Sequence, residues 1–235
     1  MPTETLFRDD AYLSECDARV IAADDGGVVL DRTVFYATGG GQPGDRGTLV
    51  RTDGSELAVS IAQYDPSKTE ILHVAAGPAL PEPGEPIKAR IDWGLRHKRM
   101  RMHTALHLLS AVLPYPVTGG SIGDEESRLD FDIPEAGLDK DEITAKLAEM
   151  VAADAEVRTR WIADDELLAN PEMVKTMAVK PPLGTGRVRL VEIVGLDLQA
   201  CGGTHVRRTG EIGAVRVTQI EKKGRQNRRV RLGWA

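Results

Sequence analysis

The sequence predicts an α+β protein of two domains, a small β-barrel-like domain followed by a domain of helices and antiparallel strands. Residues 18–75 contain short apolar runs with β-branched residues, broken by turn signals, as in a small barrel or sandwich. Residues 139–151 instead repeat apolar side chains with the 3.6-residue period of a helix. Residues 188–194 and 215–220 are short apolar runs that indicate strands.

The boundary between the two domains is predicted near Trp93. Four prolines in residues 77–86 indicate a stiff loop, after which residues 87–92 can supply one last strand of the first domain. The predicted domains are therefore residues 1–93 and 94–235. The turn signals that separate the earlier strands lie at residues 24–27, 52–54 and 65–66.

Two helices are predicted in the second domain. The first carries His103 and His107 among apolar residues, and Pro114 and Pro116 close the segment. The second begins after Asp139, whose carboxylate can accept hydrogen bonds from the backbone at a helix start. The apolar positions on which these helices depend are Met102, Ala105, Leu106, Leu109 and Val112 in the first, and Ile143, Leu147, Met150 and Val151 in the second.

Two pairs of residues with metal-binding side chains have the same spacing, His103 with His107 and Cys201 with His205. Residues i and i+4 of a helix lie on one face, so the two histidines can bind one metal ion together. Gly202 and Gly203 disfavour a helix and favour a tight loop that folds Cys201 back toward His205. Imidazole nitrogen and thiolate sulfur are the ligands that zinc prefers. The four residues therefore predict one Zn²⁺ per chain.

Each pair alone is weak evidence, because histidines are common on half-buried helix faces and a free cysteine often serves as a small apolar residue. The combination is much stronger. A zinc peptidase is excluded, since Thr104 stands where the H-E-x-x-H pattern needs its glutamate. A purely structural zinc site stays open.

Composition is typical of a cytoplasmic protein. The chain has 235 residues, 41% of them hydrophobic, and shows no sequence typical of a transmembrane span or signal peptide, so no membrane partner is expected. Cys16 and Cys201 are the two cysteines, which give no disulfide framework and suit a reducing compartment.

Although the net charge is −6, the chain contains two basic clusters, residues 96–101 and 222–231. The second cluster has six cations and no acid. Clustered cations next to the histidine helix suggest phosphate contacts with RNA, although such runs are often only solvated surface. The predicted tRNA contacts are Arg99, Arg101, Lys222, Lys223, Arg225, Arg228 and Arg229.

The glycine-rich run at residues 39–44 satisfies the dinucleotide-binding pattern G-x-G-x-x-G. Its context argues against that function, because Pro43 precedes the last glycine and residues 45–50 return to strand character. A tight β-turn and a functional role remain equally open.

Several motifs resemble the editing domain of alanyl-tRNA synthetase and its free-standing relatives, the AlaX proteins. Residues 103–109 read HTALHLL, residues 201–206 read CGGTHV and residues 209–213 read TGEIG. Residues 35–45, FYATGGGQPGD, resemble the glycine-rich motif of the larger AlaX type, and residues 91–93 resemble the entry to the editing domain. The resemblance covers nearly the whole chain and makes residues 94–235 the editing domain.

The resemblance implies a hydrolase that acts in trans on tRNA for alanine carrying a wrong amino acid, with serine as the expected amino acid and glycine as the second candidate. Zinc would assist the ester hydrolysis, with Cys201 and His103 as catalytic residues. Four protein ligands would close the zinc shell, whereas catalytic zinc normally keeps one position open, so either a fifth ligand is added or one residue stays outside. A metal-free reaction in a polar pocket is the alternative. The chain is expected to lack an aminoacylation domain and to need no ATP.

The resemblance also suggests which residues bind the substrate. Thr118 corresponds in position to a threonine that the family uses, and Ser121 is a second candidate, because a hydroxyl partner can separate serine from alanine. Gln42 and Asp45 are expected to shape the pocket through the glycine-rich motif. The glutamine usual in alanyl-tRNA synthetases after the histidine helix is absent between His107 and Asp132.

Two other classes of function remain open: a zinc-stabilised tRNA-binding module without catalysis, and a zinc hydrolase of a small ester. The sequence predicts no oligomeric state.

Overall fold

The structure, a computed structural model, describes residues 2–75, 79–134, 137–174 and 186–235. The chain divides into two compact units, residues 1–98 and 99–235. Its strands are β1 (Glu4–Thr5), β2 (Glu15–Asp24), β3 (Gly27–Leu30), β4 (Arg32–Thr33), β5 (Gly47–Arg51), β6 (Glu56–Tyr64), β7 (Ile71–Ala75), β8 (Pro86–Ile91), β9 (Val117–Ser121), β10 (Glu126–Asp132), β11 (Val157–Ala163), β12 (Arg187–Ile193), β13 (Asp197–Ala200), β14 (Val215–Lys222) and β15 (Asn227–Trp234). Its α-helices are α1 (Trp93–Val112), α2 (Lys140–Ala152) and α3 (Asp164–Ala169).

The first unit is built around a closed antiparallel barrel with strand order β2-β3-β7-β6-β5-β8. Side chains along β2, β6 and β8 alternate between buried and more exposed positions, because successive residues of a strand point to opposite faces. The inward positions form one apolar core that includes Val20, Leu30, Phe35, Leu49 and Ile71. The α+β class with a barrel-like N-terminal part is confirmed.

The proline-rich loop predicted at residues 77–86 lies partly outside the described residues. From residue 79 to residue 85 the described part contains neither helix nor strand, and β8 begins at Pro86. The predicted boundary near Trp93 coincides with the first residue of α1, and the exact division of the chain stays a prediction.

The glycine-rich run forms a tight turn. Gly39 and Gln42 pair through both of their backbone hydrogen bonds, and Gly40 and Gly41 between them have φ angles of 57° and 82°. Type I′ turns need positive φ at both central residues, a conformation that glycine adopts without steric cost. At Gly44 an added Cβ would lie only 1.8 Å from the carbonyl oxygen of Ala62. The turn therefore explains Gly40 and Gly41, and the close approach explains Gly44.

The second unit contains two antiparallel sheets, one of order β14-β15-β10-β9 and one of order β11-β12-β13. Helix α2 packs against β14. As predicted, the Asp139 carboxylate caps α2 and accepts from the backbone N–H groups of Asp141 and Glu142. One face of the three-stranded sheet is covered by a small apolar cluster of Ile162, Leu167, Val188 and Leu190.

Among the described residues, no helix combines the length and apolar character needed to cross a membrane.

Candidate metal centre

His103, His107, Cys201 and His205 meet in one cluster in the second unit. Their potential ligand atoms all lie within 4.8 Å of one another. The Cys201 Sγ atom is 3.5 Å from Nε2 of His103 and 3.4 Å from Nε2 of His205. The three imidazole rings have centroids 4.2 to 5.2 Å apart. Two segments about a hundred residues apart in sequence thus bring four metal-binding side chains to one point.

The local structure of each pair agrees with its spacing. His103 and His107 lie one turn apart on α1, and Cys201 and His205 lie in a loop that follows β13. The guanidinium of Arg189 stabilises this loop, since Nη1 donates to the carbonyl oxygens of Cys201 at 3.0 Å and Gly203 at 2.9 Å. The predicted helix and the predicted loop are both confirmed.

His107 is oriented by Asp197, the first residue of β13. Its Nδ1 atom lies 3.1 Å from Oδ2 of Asp197, which also accepts from the side-chain amide of Gln199 at 2.7 Å. The same amide donates to the hydroxyl of Ser110 on α1 at 3.1 Å. A carboxylate that accepts from one ring nitrogen fixes the tautomer and leaves the other nitrogen available as a ligand.

His205 is oriented by Thr104, which lies on α1 between the two histidines. The Thr104 hydroxyl donates to the carbonyl oxygen of Met100 at 2.9 Å, so its oxygen can only accept from Nδ1 of His205, 3.2 Å away. The same oxygen accepts from the backbone N–H of Val206. His205 therefore carries its proton on Nδ1 and presents the lone pair of Nε2 to the cluster.

The charges of the cluster favour a thiolate. Burial by itself raises the pKa of the Cys201 thiol, but His103 and His205 outweigh burial and hold this pKa well below its ordinary value. Burial likewise lowers the pKa of His107, while Asp197 and Cys201 more than compensate and raise it to about 9. Burial, together with the charge of His103, holds the pKa of His205 well below its ordinary value. The thiolate is the form of cysteine that binds metal ions.

The donor set and its distances fit a metal ion. Zinc bonds of about 2.0 to 2.3 Å in a tetrahedron place neighbouring donor atoms roughly 3.4 to 3.8 Å apart. The two Sγ to Nε2 distances of 3.4 and 3.5 Å agree with these edges. Two of the histidines also have the hydrogen-bonded outer partners that metal-bound imidazoles usually have. The cluster can therefore hold a metal ion.

Asp45, a predicted pocket residue, is buried in the first unit and forms an ion pair with Arg96. The Arg96 guanidinium contacts both carboxylate oxygens and also donates to the carbonyl oxygens of Ala11 and Val34. The carboxylate additionally accepts from the backbone N–H of Tyr36 at 2.7 Å. Gln42 is buried too. These contacts assign Asp45 a stabilising role, while its contact with substrate stays a prediction.

Thr118 lies half-buried on β9. Its hydroxyl donates to the carbonyl oxygen of Asp130 at 3.1 Å and accepts from the side-chain amide of Asn227 at 2.8 Å. The other side-chain atom of Asn227, Oδ1, is buried and has no hydrogen-bond partner among the described residues. Ser121, at the end of β9, is exposed.

Of the cations near the histidine helix, Arg99 is buried and Arg101 is half-buried. Arg99 donates to Asp124 at 2.8 Å, which makes it a structural ion pair rather than a surface charge. Arg101 donates to the carbonyl oxygen of Ile212, and its guanidinium stacks over Trp234 with 4.4 Å to the ring centroid.

Several of the C-terminal cations are buried or form ion pairs within the protein. Arg229 pairs with Asp130, Lys223 pairs with Glu221, and Arg228 is buried. Lys222 and Arg225 are exposed. The basic run is therefore less basic in the folded protein than its sequence suggests.

Sequence reasoning missed the residues that support the cluster: Thr104 as a hydrogen-bond acceptor, Ser110, Arg189, Asp197 and Gln199. Asp197 and Gln199 are alternate residues of a strand that ends beside Cys201, so their side chains share one face of that strand. This two-residue spacing of polar residues just before Cys201 is the one sequence signal that could have identified them.

The fold and the site define an α+β protein with an N-terminal barrel and a cluster of three histidines and one cysteine that could hold a metal ion. Two family matches connect this class of protein with the aminoacyl-tRNA synthetases. Residues 188–231 match the threonyl and alanyl tRNA synthetase second additional domain. Residues 6–95 match the class II (A) tRNA synthetases.

Similarity to individual proteins defines the family more narrowly. The chain is 37% identical to the alanyl-tRNA editing protein AlaX-M of Methanosarcina barkeri and 35% identical to that of Saccharolobus solfataricus, in each comparison over 97% of both chains. It is also 39% identical to an alanine–tRNA ligase of Korarchaeum cryptofilum, over 94% of this chain and 25% of the ligase. The chain belongs to the AlaX-M family of alanyl-tRNA editing proteins, and the resemblance found in the sequence is confirmed.

Proposed function

We propose that this protein removes serine, and more slowly glycine, from wrongly charged tRNA for alanine by hydrolysing the ester bond. Membership in the AlaX-M family makes the chain an aminoacyl-tRNA hydrolase that serves translation fidelity, as the sequence predicted. The observation that carries the more specific proposal is the cluster of three histidines and one cysteine. The reaction needs tRNA and no ATP, and it takes place in the cytoplasm, where charged tRNA is used.

The proposed cofactor is one zinc ion held by His103, His107, Cys201 and His205. Bound zinc would polarise the ester carbonyl or the amine of the substrate and make a water molecule more acidic. Cys201 is half-buried whereas the three histidines are buried, so its side of the cluster is the more accessible to a substrate. We assign Cys201 and the adjacent His103 as the residues nearest the reacting ester. Asp197 and Thr104 hold the other two imidazoles in place.

Selectivity for serine is proposed to depend on Thr118 and Asn227. The buried oxygen of Asn227 lacks a partner among the described residues, and a serine hydroxyl could donate to it. Alanine would leave this oxygen unsatisfied, which costs about 1 to 3 kcal/mol. Asn227 would thereby supply the amide that the sequence lacks between His107 and Asp132.

The test compares deacylation of seryl-, glycyl- and alanyl-tRNA for alanine, with and without a chelator and with zinc restored. We expect rapid loss of serine, slower loss of glycine and persistence of alanine, with the activity abolished by chelation and recovered with zinc. If serine is still removed after complete removal of the metal, the zinc mechanism is contradicted, while the editing function itself is still supported. Tested variants are Cys201→Ala and, as a control at the other cysteine, Cys16→Ala.

The same variants separate an enzyme from a zinc-stabilised tRNA-binding module. An enzyme with the Cys201→Ala substitution should keep its cooperative thermal unfolding and lose deacylation, while the Cys16→Ala variant keeps both. Unfolding of the Cys201→Ala variant, together with tRNA binding but no hydrolysis by the wild type, would instead support the binding module.

A further inference from the structure

Arg228 on β15 is a buried cation without a carboxylate partner among the described residues. Its exposed fraction is 7%. Nη1 donates to the backbone carbonyl oxygens of Asn227 at 3.2 Å and Gly224 at 3.4 Å, which are long for such bonds. Nε and Nη2 donate to no acceptor in the part of the chain that the structure describes. A guanidinium stays charged and buried charges are normally paired, so the folded protein leaves this charge uncompensated.

The arginines on the opposite face of β15 do have carboxylate partners. Successive residues of a strand point to opposite faces, so Arg229 and Arg231 lie on the face opposite to Arg228. Arg229 pairs with Asp130 at 2.7 Å, and Arg231 pairs with Glu126 at 2.7 Å. The same strand therefore places two arginines in internal ion pairs, while the third has backbone carbonyls as its described partners.

Lys222 on β14 adds a second positive charge beside Arg228. The two residues are paired across the strands, so their side chains share one face of the sheet. Residues paired in this way have Cβ atoms about 4.5 to 5.5 Å apart, and like charges at such positions destabilise the sheet. Lys222 is exposed and forms no ion pair with the described residues. An anion bound between the two cations would remove their repulsion.

Both cations line one cavity of about 240 Å³. The rest of its described lining consists of Ile220 on β14 and of Gly137 and Leu138, which precede α2, and includes no acid. Acids next to these residues in sequence are engaged elsewhere, because Asp139 caps α2 and Glu221 is held in ion pairs. A cavity of this volume holds several water-sized groups, so the four oxygens of a phosphate fit into it.

The unused edge of the Arg228 guanidinium matches a phosphate. Nε and Nη2 lie on the same edge of the planar group, and two parallel N–H groups can bind two phosphate oxygens at once. The ammonium of Lys222 contributes a point charge on a flexible stem, which can reach a third oxygen from the exposed rim. The two side chains thus supply complementary contacts to one anion.

We propose that Arg228 and Lys222 form a binding site for one backbone phosphate of the substrate tRNA. The inference rests on the proposed function, which names tRNA as the partner. Arg225 is exposed in the turn between β14 and β15, so the neighbouring phosphates of the RNA can follow this turn. Contacts to phosphate position an RNA without reading its sequence, so the site holds tRNA whichever amino acid is attached.

The test measures the affinity for uncharged tRNA for alanine at several salt concentrations, with the wild type, Arg228→Gln and the matched control Arg231→Gln. Both substitutions remove one positive charge from β15, but only Arg228 lines the cavity. Arg228→Gln should weaken binding about tenfold, the effect of one charge-assisted contact, and reduce the salt slope by about 0.7 to 0.9. Arg231→Gln should leave both quantities unchanged. Arg228→Lys keeps the charge without the planar fork, so its affinity should be intermediate.

A second variant at the exposed rim keeps the test independent of folding. Lys222→Gln should also weaken binding, and the loss in the double variant should be smaller than the product of the two single losses, because both side chains bind one phosphate. Thermal unfolding followed by circular dichroism checks that each variant is folded. If Arg228→Gln is unfolded, the comparison of Lys222→Gln with Arg231→Gln decides the question.

Inorganic phosphate tests whether the cavity takes a free ion instead. At the same ionic strength, millimolar phosphate in place of chloride should raise the unfolding midpoint of the wild type more than that of Arg228→Gln. Such protection without any loss of tRNA affinity in the variants would assign the cavity to a free ion and overturn the inference.

Equal losses of tRNA affinity in Arg228→Gln and Arg231→Gln would also overturn the inference, since they would show a general effect of charge. Wild-type affinity and salt slope in both Arg228→Gln and Lys222→Gln would do the same. Because binding of uncharged tRNA needs no hydrolysis, failure of the proposed function would be seen separately, as absence of deacylation by the wild type.

Discussion

The hydroxyl of Thr104 accepts a hydrogen bond from Nδ1 of His205 across 101 positions of sequence. Thr104 occupies the position at which a zinc peptidase of the H-E-x-x-H type has its general base. Here the side chain serves another purpose, since its hydrogen is donated to Met100 and its oxygen holds the imidazole. With threonine in place of glutamate, this position orients the imidazole of His205 instead of transferring a proton.

Replacing Thr104 with valine should weaken metal binding by about 10- to 100-fold, the usual effect of losing an outer partner of a metal-bound histidine. Valine has nearly the same shape but leaves two buried N–H groups, of His205 and Val206, without their acceptor. Affinity can be measured by competition with a chromophoric chelator. Thr104→Ser keeps the hydroxyl and should retain most of the affinity. Wild-type affinity in Thr104→Val would show that His205 needs no such support.

Asp45→Asn should lower the free energy of unfolding of the protein by about 3 to 5 kcal/mol, because the buried guanidinium of Arg96 loses its counter-charge. Denaturant unfolding followed by circular dichroism measures the change. The control is Glu15→Gln, which removes an exposed carboxylate paired with Lys88 and Arg90 and should lower the free energy of unfolding far less than Asp45→Asn. Equal effects of the two substitutions would contradict a stabilising role for Asp45.

His73 makes the stability of the protein depend on pH. Its buried Nδ1 donates to the carbonyl oxygen of Val28, its Nε2 accepts from Thr33, and burial lowers its pKa from 6.5 to about 4. As the pH falls below 6.5, His73 binds a proton in the unfolded chain, whereas in the folded protein it binds one only near pH 4. Stability is therefore lost on acidification, by about 2 to 3 kcal/mol between pH 7.5 and 4.5.

Denaturant unfolding at the two pH values tests this expectation. His73→Gln should be less stable than the wild type at pH 7.5 and should lose less stability on acidification. The same acid-dependent loss in both proteins would assign the pH dependence to other groups.

Lys222 and Arg225 are the cations of the C-terminal run that we expect to contact tRNA, since both are exposed. Replacing both with glutamine should weaken binding equally for seryl-, glycyl- and alanyl-tRNA, because phosphate contacts carry no information about the amino acid. The salt slope should fall by about 1.4 to 1.8. A control with Lys140→Gln and Lys146→Gln on the exposed face of α2 should bind normally. A change in the serine preference would place Lys222 or Arg225 near the ester instead.

The sequence by itself determined the features that depend on local spacing. The two-residue alternation of the barrel strands, the cap at Asp139 and the i, i+4 pair on α1 are each set by neighbouring residues, because strand and helix periods and capping hydrogen bonds act within a few positions. The four residues of the candidate metal centre were also recognisable, since their residue types and spacing are those of metal-binding side chains.

Only the tertiary structure decided which charged and polar groups are used inside the protein. Arg99 pairs with Asp124, and Arg229 pairs with Asp130 at a separation of 99 residues. Both arginines are therefore neutralised by partners within the protein, whereas the sequence suggests that they add positive charge to the surface. The orientation of His107 by Asp197 likewise depends on contact between a strand and a helix 90 positions apart. Burial and ion pairing are set by partners distant in the chain, which no local pattern encodes.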